Sequence, residues 1–281
     1  MNLLESLTRV KIINMRFDKP EALPIKKIIT ESGRVKTFIF DMDFPGEPGQ
    51  FVMCWVPGFD EKPFGIIKRE GQGFSISVAA VGETTKALHM MEVGDLLGFR
   101  GPYGTYFNLP DNGKKIALVA GGYGMAPLSF LAQEARKKNI DVDLFVGARS
   151  KEDLLYLDWM TEIGVNVCAS TDDGSYGFKG YNTELFKQYT DKESYEKVYI
   201  VGPEIMEQKV SETCWQKDIL FEVSIERFMK CGFGLCGQCC VDPTGWRMCV
   251  EGPVLNQDQL KQVTEFGKYH RTASGRVKEY K

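Results

Sequence analysis

Residues 231–249 read CGFGLCGQCCVDPTGWRMC, which places five of the chain's eight cysteines in one short segment, with Gly232, Gly234 and Gly237 set among them. Glycine that frequent denies the segment a stable helix or strand interior and leaves a pliable loop. Thiols that dense make it a loop that wraps something, because a disulfide framework would scatter its pairs along the chain. Cys231, Cys236, Cys239 and Cys249 follow the spacing C-x4-C-x2-C-x9-C, and the first three match the plant-type ligand run of a [2Fe–2S] cluster. Such a loop must put thiolates on opposite sides of two irons while its backbone stays near the sulfides. Gly232, Gly234 and Gly237 permit the tight dihedrals and leave N–H groups free to bond to sulfur. A structural zinc site is the alternative, since four thiolates also make a tetrahedron. Zinc knuckles favour two short pairs, whereas this is a triplet plus a distant fourth. Cys240, beside Cys239, is expected to point away from such a group as a buried spare thiol, like Cys54, Cys168 and Cys214.

The chain around this loop has 281 residues, enough for several domains, and at 43% hydrophobic and 26% charged it is an ordinary globular sequence without low-complexity tracts. A net charge of -3 offers no basic field for nucleic acid or an anionic membrane surface. The longest uncharged stretch, IALVAGGYGMAPLSFLAQ (116–133), is broken by glycines and a proline and falls short of a membrane span. The first residues, MNLLESLTRVKIINMRF, carry charges through their apolar run and lack a small-residue cleavage site, so a cytoplasmic location is expected.

Residues 1–111 alternate apolar runs with Gly, Pro and Asp punctuation: LTRVKIINM, IKKIIT, VKTFIFDMD, GQFVMCWV, FSISVAAV and DLLGFRGPYG. That spacing predicts a small antiparallel barrel. After the polar break LPDNGKK the texture changes across 112–221 to strand-like runs alternating with helical ones, which predicts parallel β-α units. Helices are expected at APLSFLAQEARKKN, near 151–160, near 181–189 and near 204–217. In the first of these Leu128, Leu131, Ala132 and Ala135 recur at i, i+3, i+4 and i+7, one face for burial on the sheet. Residues 222–281 form a third, small unit that holds the cysteine loop and ends in the polar tail FGKYHRTASGRVKEYK.

The strand-to-helix turn GGYGMAP supplies Gly121, Gly122 and Gly124, small residues through which a phosphate can approach backbone N–H groups at a helix start. Alone, such a turn is as often mere geometry. Two further strand ends join it: TDDGSYG, with Thr171, Asp172 and Asp173, and VGP, with Gly202 and Pro203. Three such loops on the carboxyl edge of a parallel sheet favour a dinucleotide.

The run SIERFMKCGFGLCGQCCVDPTGWRMCVEGPVL, together with TDDGSYGFKG, GGYGMAPL and PGQF, resembles the electron-transfer subunits of NAD-dependent, type B dihydroorotate dehydrogenases. The PTG insert before the last cysteine is most similar to archaeal members. The likeness runs over nearly the whole chain in the right order. It implies a ferredoxin-reductase-like β plus α/β architecture: an antiparallel FAD-binding barrel, a parallel-sheet NAD-binding domain and a C-terminal [2Fe–2S] domain. By this resemblance Cys231, Cys236, Cys239 and Cys249 are the cluster ligands. The FAD motif, ordinarily Arg-Pro-x-Ser, falls on Lys62, Pro63, Phe64 and Gly65. The phosphate-binding pair falls on Thr84 and Thr85, and Val78, Ala79 and Ala80 lie on the strand bordering the flavin. Read without the resemblance, Thr84 and Thr85 are a helix N-cap pair and Lys62 a solvated charge.

The departures from the motif are chemical. Lys62 keeps a charge but loses arginine's fork, and Gly65 lacks the usual hydroxyl. Tyr123 enlarges a small position beside the nicotinamide pocket. Val201 stands where many ferredoxin-reductase relatives carry a cysteine. The resemblance further implies an FMN-bearing dihydroorotate dehydrogenase subunit as partner, in a heterotetramer of two plus two, with NAD as electron acceptor in pyrimidine synthesis. Nicotinamide takes hydride, an iron–sulfur cluster carries single electrons, and flavin handles both, so FAD belongs between them. No side chain stands out as a catalytic group; His89 and His270 are expected at the surface. Phe228, Met229, Phe233, Leu235, Trp246 and Met248 serve either as docking surface or as core of the small unit. Two competing readings are a diaphorase-type subunit of a hydrogenase or ferredoxin-dependent transhydrogenase, and a zinc-bearing interaction protein.

Overall fold

The computed structural model describes residues 17–69, 71, 73–111 and 114–280; the expected strand over 7–15 lies outside them. The first unit comprises β1 (Phe17–Thr30), β2 (Val35–Phe40), β3 (Phe51–Trp55), β4 (Glu61–Gly65), β5 (Ile67–Lys68), β6 (Phe74–Ala79), α1 (Glu83–His89) and β7 (Leu96–Tyr103). Its strands pair antiparallel in the order β4-β3-β7-β1-β2-β6-β5. Ile66 alone separates the two outermost strands. One chain segment therefore pairs with β3 through its first half and with β6 through its second, and the sheet closes on itself as the expected barrel. β1 is shared in the same manner: Glu21–Pro24 face β7 and Ile25–Thr30 face β2, with an irregularity after Ile25. Inside the barrel the rings of Phe40, Phe74 and Phe99 meet with centroids 4.6 to 5.1 Å apart, in the offset and edge-on geometries aromatic rings prefer.

The second unit runs β8 (Ile116–Gly121), α2 (Met125–Lys137), β9 (Val142–Ala148), α3 (Leu157–Glu162), β10 (Asn166–Thr171), β11 (Phe178–Lys179), α4 (Asn182–Thr190), β12 (Lys197–Val201), α5 (Glu204–Gln216) and β13 (Leu220–Ser224). The sheet order is β11-β10-β9-β8-β12-β13 followed at the edge by β16 (Val254–Asn256), and its strands are parallel except the last. Every residue of β8 is buried, as a doubly covered strand requires. Leu128, Leu131, Ala132 and Ala135 of α2 are fully buried, as their spacing predicts. The chain leaves β8 towards β9 and β10, then crosses back to β12 on its other side. That is the strand reversal beside which open α/β sheets hold ligands.

The helix expected near 151–160 is replaced by a short turn at Lys151–Asp153, an extended Leu154 and a left-handed Tyr156 (φ 61°) before α3 begins. The reason is tertiary. Leu154 and Leu155 turn into the core, and the Tyr156 hydroxyl lies 2.8 Å from Thr37 Oγ1 and 2.7 Å from Ser77 Oγ, tying the second unit to the barrel wall.

After β13 the chain leaves the sheet with the cysteine loop, which carries the short hairpin β14 (Cys240–Val241) and β15 (Trp246–Arg247). It returns as β16 (Val254–Asn256), antiparallel to β13. α6 (Gln257–Leu260) opens with Asn256 Oδ1 accepting the N–H groups of Asp258 and Gln259. The tail then folds as a hairpin, β17 (Tyr269–Arg271) with β18 (Val277–Glu279). Buried charges fasten it: Arg227 donates to Glu204 at 2.5 Å and to Glu265 at 2.7 Å, and the Tyr280 hydroxyl donates to Glu204 at 2.9 Å.

Candidate functional site

In the cysteine loop Gly232, Gly234 and Gly237 have φ of +78°, +88° and +68°, backbone that side-chain-bearing residues rarely adopt. A methyl group on Gly232 would stand 2.5 Å from Met53 Cγ, and one on Gly234 2.7 Å from Val250 Cγ2. The four sulfurs fall into two pairs. Cys231 Sγ accepts the N–H groups of Leu235 and Cys236 at 3.3 and 3.4 Å and contacts the Cys236 side chain. Cys239 contacts the Cys249 side chain. The hairpin β14–β15 makes the second pair, returning the distant Cys249 to the triplet with Met248 N–H bonded to Cys239 O at 3.1 Å. Burial works to raise the Cys231 thiol, but the N–H groups of Cys236, Phe233 and Leu235 bring it down to about 7. The hydrogen bond from Cys249 lowers Cys239 to about 6, and Cys249 is correspondingly held up as the partner that keeps the proton. Thiols in two pairs, with Cys231 and Cys239 lowered and N–H groups aimed at sulfur, suit a two-iron cluster with two sulfurs on each iron. Among the described residues no three His, Cys, Asp or Glu side chains are grouped to hold a single metal ion.

Two arginines pin the loop. Arg100 of β7 donates through Nε and Nη2 to Glu61 at 2.8 and 2.5 Å, through Nη2 to Cys231 O at 3.0 Å, and lies over the Phe233 ring. Arg247 donates to Gly234 O at 2.9 Å and pairs with Glu251. Of the apolar residues around the loop, Met229 and Met248 are core, Phe228 and Trp246 are half-buried, and Phe233 and Leu235 stand 47% and 79% exposed. Cys54, Cys168 and Cys214 are buried as expected, but Cys240, the partner of Arg247 across the β14–β15 hairpin, is only half-buried.

The expected flavin motif occupies β4. Lys62 is not a free charge: its Nζ lies 2.6 Å from Asp60 and 5.5 Å above the Phe228 ring. Phe64 packs on the barrel core. Gly65 faces the first turn of α2, where an added methyl would stand 3.6 Å from Pro127 Cβ, an ordinary contact. Val78 belongs to the barrel core and Ala79 to the core of the second unit, and Ala80 N–H bonds to Arg34 O at 3.0 Å. The Thr84 and Thr85 pair does not supply the N-cap itself. Gly82 is the cap; Thr85 Oγ1 reaches back to the N–H groups of Val81 and Gly82 at 3.0 and 2.9 Å, and Thr84 is buried.

At the carboxyl edge of the parallel sheet lies a cleft of about 470 Å³, into which Gly121, Gly122, Tyr123, Asp172 and Pro203 project together with Arg34, Arg149 and Lys209. Other expected residues shape its walls. A methyl on Gly124 would stand 2.2 Å from the Val201 carbonyl oxygen, and one on Gly202 2.9 Å from Gly121 N. Thr171 is fully buried and exchanges two hydrogen bonds with the Tyr176 backbone, and Asp173 accepts from Ser175 N–H. Sequence reasoning passed over Asn182, whose Nδ2 donates to Ala120 O at 2.8 Å, and Glu207, whose Oε1 accepts from Gly202 N–H at 3.0 Å. It passed over Arg34 too, since nothing local announces that a barrel hairpin overhangs this cleft. The histidines also differ from expectation. Both are half-buried; His89 Nε2 lies 2.7 Å from Val78 O and His270 packs on Tyr280.

A family profile described as the iron-sulfur cluster binding domain of dihydroorotate dehydrogenase B matches residues 226–261, and one described as an oxidoreductase NAD-binding domain matches residues 118–212. Among solved structures, a chain from the NADH-dependent reduced ferredoxin-NADP oxidoreductase superposes with a TM-score of 0.76 at 26% identity, covering 87% of this chain and 93% of that one. The ferredoxin reductase of carbazole 1,9a-dioxygenase shares the fold, with a TM-score of 0.63 at 20% identity over 71% of this chain and 67% of that one. The chain is 49% identical to the probable dihydroorotate dehydrogenase B (NAD(+)) electron transfer subunit of Methanocaldococcus jannaschii, over 92% of this chain and 98% of the relative. It is 47% identical to the protein of that name from Methanothermobacter thermautotrophicus, over 92% and 96%. At such identity over nearly the full length of these relatives, the chain belongs to the family of dihydroorotate dehydrogenase B electron transfer subunits.

Proposed function

We propose that this oxidoreductase subunit takes electrons from an FMN-bearing dihydroorotate dehydrogenase subunit and delivers them to NAD+, in the pathway that makes UMP. One observation carries the reading. Strand β4 touches the cysteine loop at one end, through Glu61, Arg100 and the Cys231 carbonyl, and the nicotinamide-side helix at the other, where Gly65 meets Pro127. A flavin seated along β4 thus lies between the other two sites. Bound there, a [2Fe–2S] cluster, FAD and NAD supply single-electron carriage, conversion between one and two electrons, and hydride exchange.

The chain's own residues divide the work of holding them. Cys231 and Cys236 would grip one iron and Cys239 and Cys249 the other, with Arg100 and Arg247 fixing the loop. Lys62, Pro63, Phe64 and Gly65, the strand Val78–Ala80, and Thr84 and Thr85 frame the flavin. Gly121, Gly122, Asp172 and Pro203 receive the dinucleotide, while Gly124, Thr171, Asp173 and Gly202 hold those turns in shape. The functional units are 1–111, 112–221 and 222–281. Exposed Phe233 and Leu235 beside the cysteines make the docking face for the catalytic subunit, in an assembly of two plus two. A cytoplasmic setting suits eight cysteines that are all free. Among the described residues no helix is long and apolar enough to cross a membrane.

The test is dihydroorotate-dependent NAD+ reduction by the reconstituted pair, with and without Cys236→Ser. The expected outcome is loss of that reaction while NADH-driven reduction of an artificial acceptor persists through the flavin. Unchanged dihydroorotate turnover in the variant would remove the cluster from the route. Reduced ferredoxin in place of dihydroorotate, as the sole effective donor, would move the subunit to the transhydrogenase class.

A further inference from the structure

Two glycine turns floor the nicotinamide cleft, and they touch. A methyl on Gly202 would stand 2.9 Å from Gly121 N, and one on Gly121 would stand 2.6 Å from Pro203 Cδ. Their separation governs how deeply a ring enters, yet neither glycine has a side chain to hold it. Gly202 is instead held from behind. Glu207, in the first turns of α5, accepts the Gly202 N–H at 3.0 Å through Oε1. The residue is 1% exposed, its second carboxyl oxygen is buried without a hydrogen-bond partner, and it borders a second cavity of about 500 Å³ that shares Pro203 and Ile205 with the cleft. A carboxyl group is a costly device for accepting one N–H in so dry a place.

We infer that Glu207 is a positioning residue for hydride exchange: by holding the Gly202 N–H it sets the spacing of the two glycine turns, and with it the seat of the nicotinamide ring. This rests on the reading of the cleft as the NAD site. Burial pushes the Glu207 carboxyl well above the usual range; the Gly202 N–H opposes that, Glu204 and Glu226 add to it, and Arg227 opposes it. The ionisable groups bordering the same cavity are Glu204, Glu226, Arg227, His270, Arg271 and Tyr280. Both arginines are committed, Arg227 to Glu204 and Glu265 and Arg271 to Asp242. Burial thus favours the uncharged form of Glu207. When rising pH ionises it, the new charge draws water in behind Gly202, and the turn shifts away from Gly121.

The experiment uses the full chain loaded with FAD and cluster. It measures the KM and kcat for NADH with ferricyanide as acceptor, and the Kd for NAD+ by calorimetry, from neutral to alkaline pH. Glu207→Gln keeps an acceptor for Gly202 N–H without the charge; its KM and Kd are expected within about twofold of wild type, and the alkaline rise of wild-type KM disappears. Glu207→Leu removes the acceptor; KM and Kd rise about tenfold with a smaller change in kcat and with FAD content retained. A Leu variant with wild-type KM and Kd overturns the inference, as does a Gln variant that loses as much as Leu. Should the Leu variant fail to fold, a wild-type KM no more dependent on pH than that of Glu207→Gln overturns it. Wild-type protein that does not bind or oxidise NADH at all would sink the NAD reading itself, whereas normal NADH turnover with an indifferent position 207 sinks only the positioning role.

Discussion

Arg100 joins parts of the molecule that are far apart in the chain. It is 9% exposed, on a barrel strand, and reaches a carbonyl 131 positions away while its fork is spent on Glu61. Its hydrogen bond to Glu61 and the charge of that carboxylate raise its own proton affinity against burial. An arginine suits the place because a single planar group serves a carboxylate bidentately and a carbonyl at once. Replacing Arg100 with Ala leaves Glu61 mostly buried and alone, at a cost of about 2–4 kcal/mol, and frees the Cys231 carbonyl. The expected result is a lower denaturant midpoint and faster bleaching of the cluster by an iron chelator. Arg100→Lys recovers part of the stability and little of the cluster protection. Equal bleaching rates in all three proteins would show that the anchor does not bear on the cluster. None of this was legible from Arg100 itself, which in sequence is one charge in DLLGFRGPYG. The cysteines were legible because their chemistry is written in local spacing; their anchors are not local.

Among elements, the parallel sheet was the easiest to foresee, since apolar strands and the periodic face of α2 are short-range patterns. β4 and β5 were hidden, because EKPFGIIK contains Pro and Gly and becomes strand only by bridging two partners drawn from distant segments. The tail hairpin was hidden for the same reason: FGKYHRTASGRVKEYK reads as a solvated end until Tyr280 finds Glu204, 76 positions back. The GGYG turn shows where sequence and packing agree for different reasons. Gly124, expected near a phosphate, is demanded by backbone contact, for its added methyl would meet the Val201 carbonyl oxygen at 2.2 Å. Gly124→Ala must force β8 and β12 apart at the cleft. The expected cost is about 3 kcal/mol, with weakened NADH binding and an intact visible spectrum from FAD and cluster. A stable variant with unaltered NADH affinity would show that the two strand ends tolerate separation.

At the scale of the whole molecule, the exposed Phe233 and Leu235 rim the loop that holds Cys236, itself exposed. Under the proposed function these two side chains form the face that the catalytic subunit covers. Phe233→Glu with Leu235→Glu is expected to leave FAD and iron content unchanged and to abolish the larger assembly with the catalytic subunit, read as mass in solution by light scattering. An undiminished complex would move the interface elsewhere. The cysteine segment also departs from β13 and comes home as β16, the strand hydrogen-bonded beside it. Both of its feet stand on one rigid platform. A cluster held by Cys231, Cys236, Cys239 and Cys249 would sit on a fixed mount rather than a swinging arm, so its distance from a flavin on β4 would not change during turnover. Thickening the solvent with sucrose should therefore leave the internal electron step at its ordinary speed, even where it slows the meeting of the two subunits.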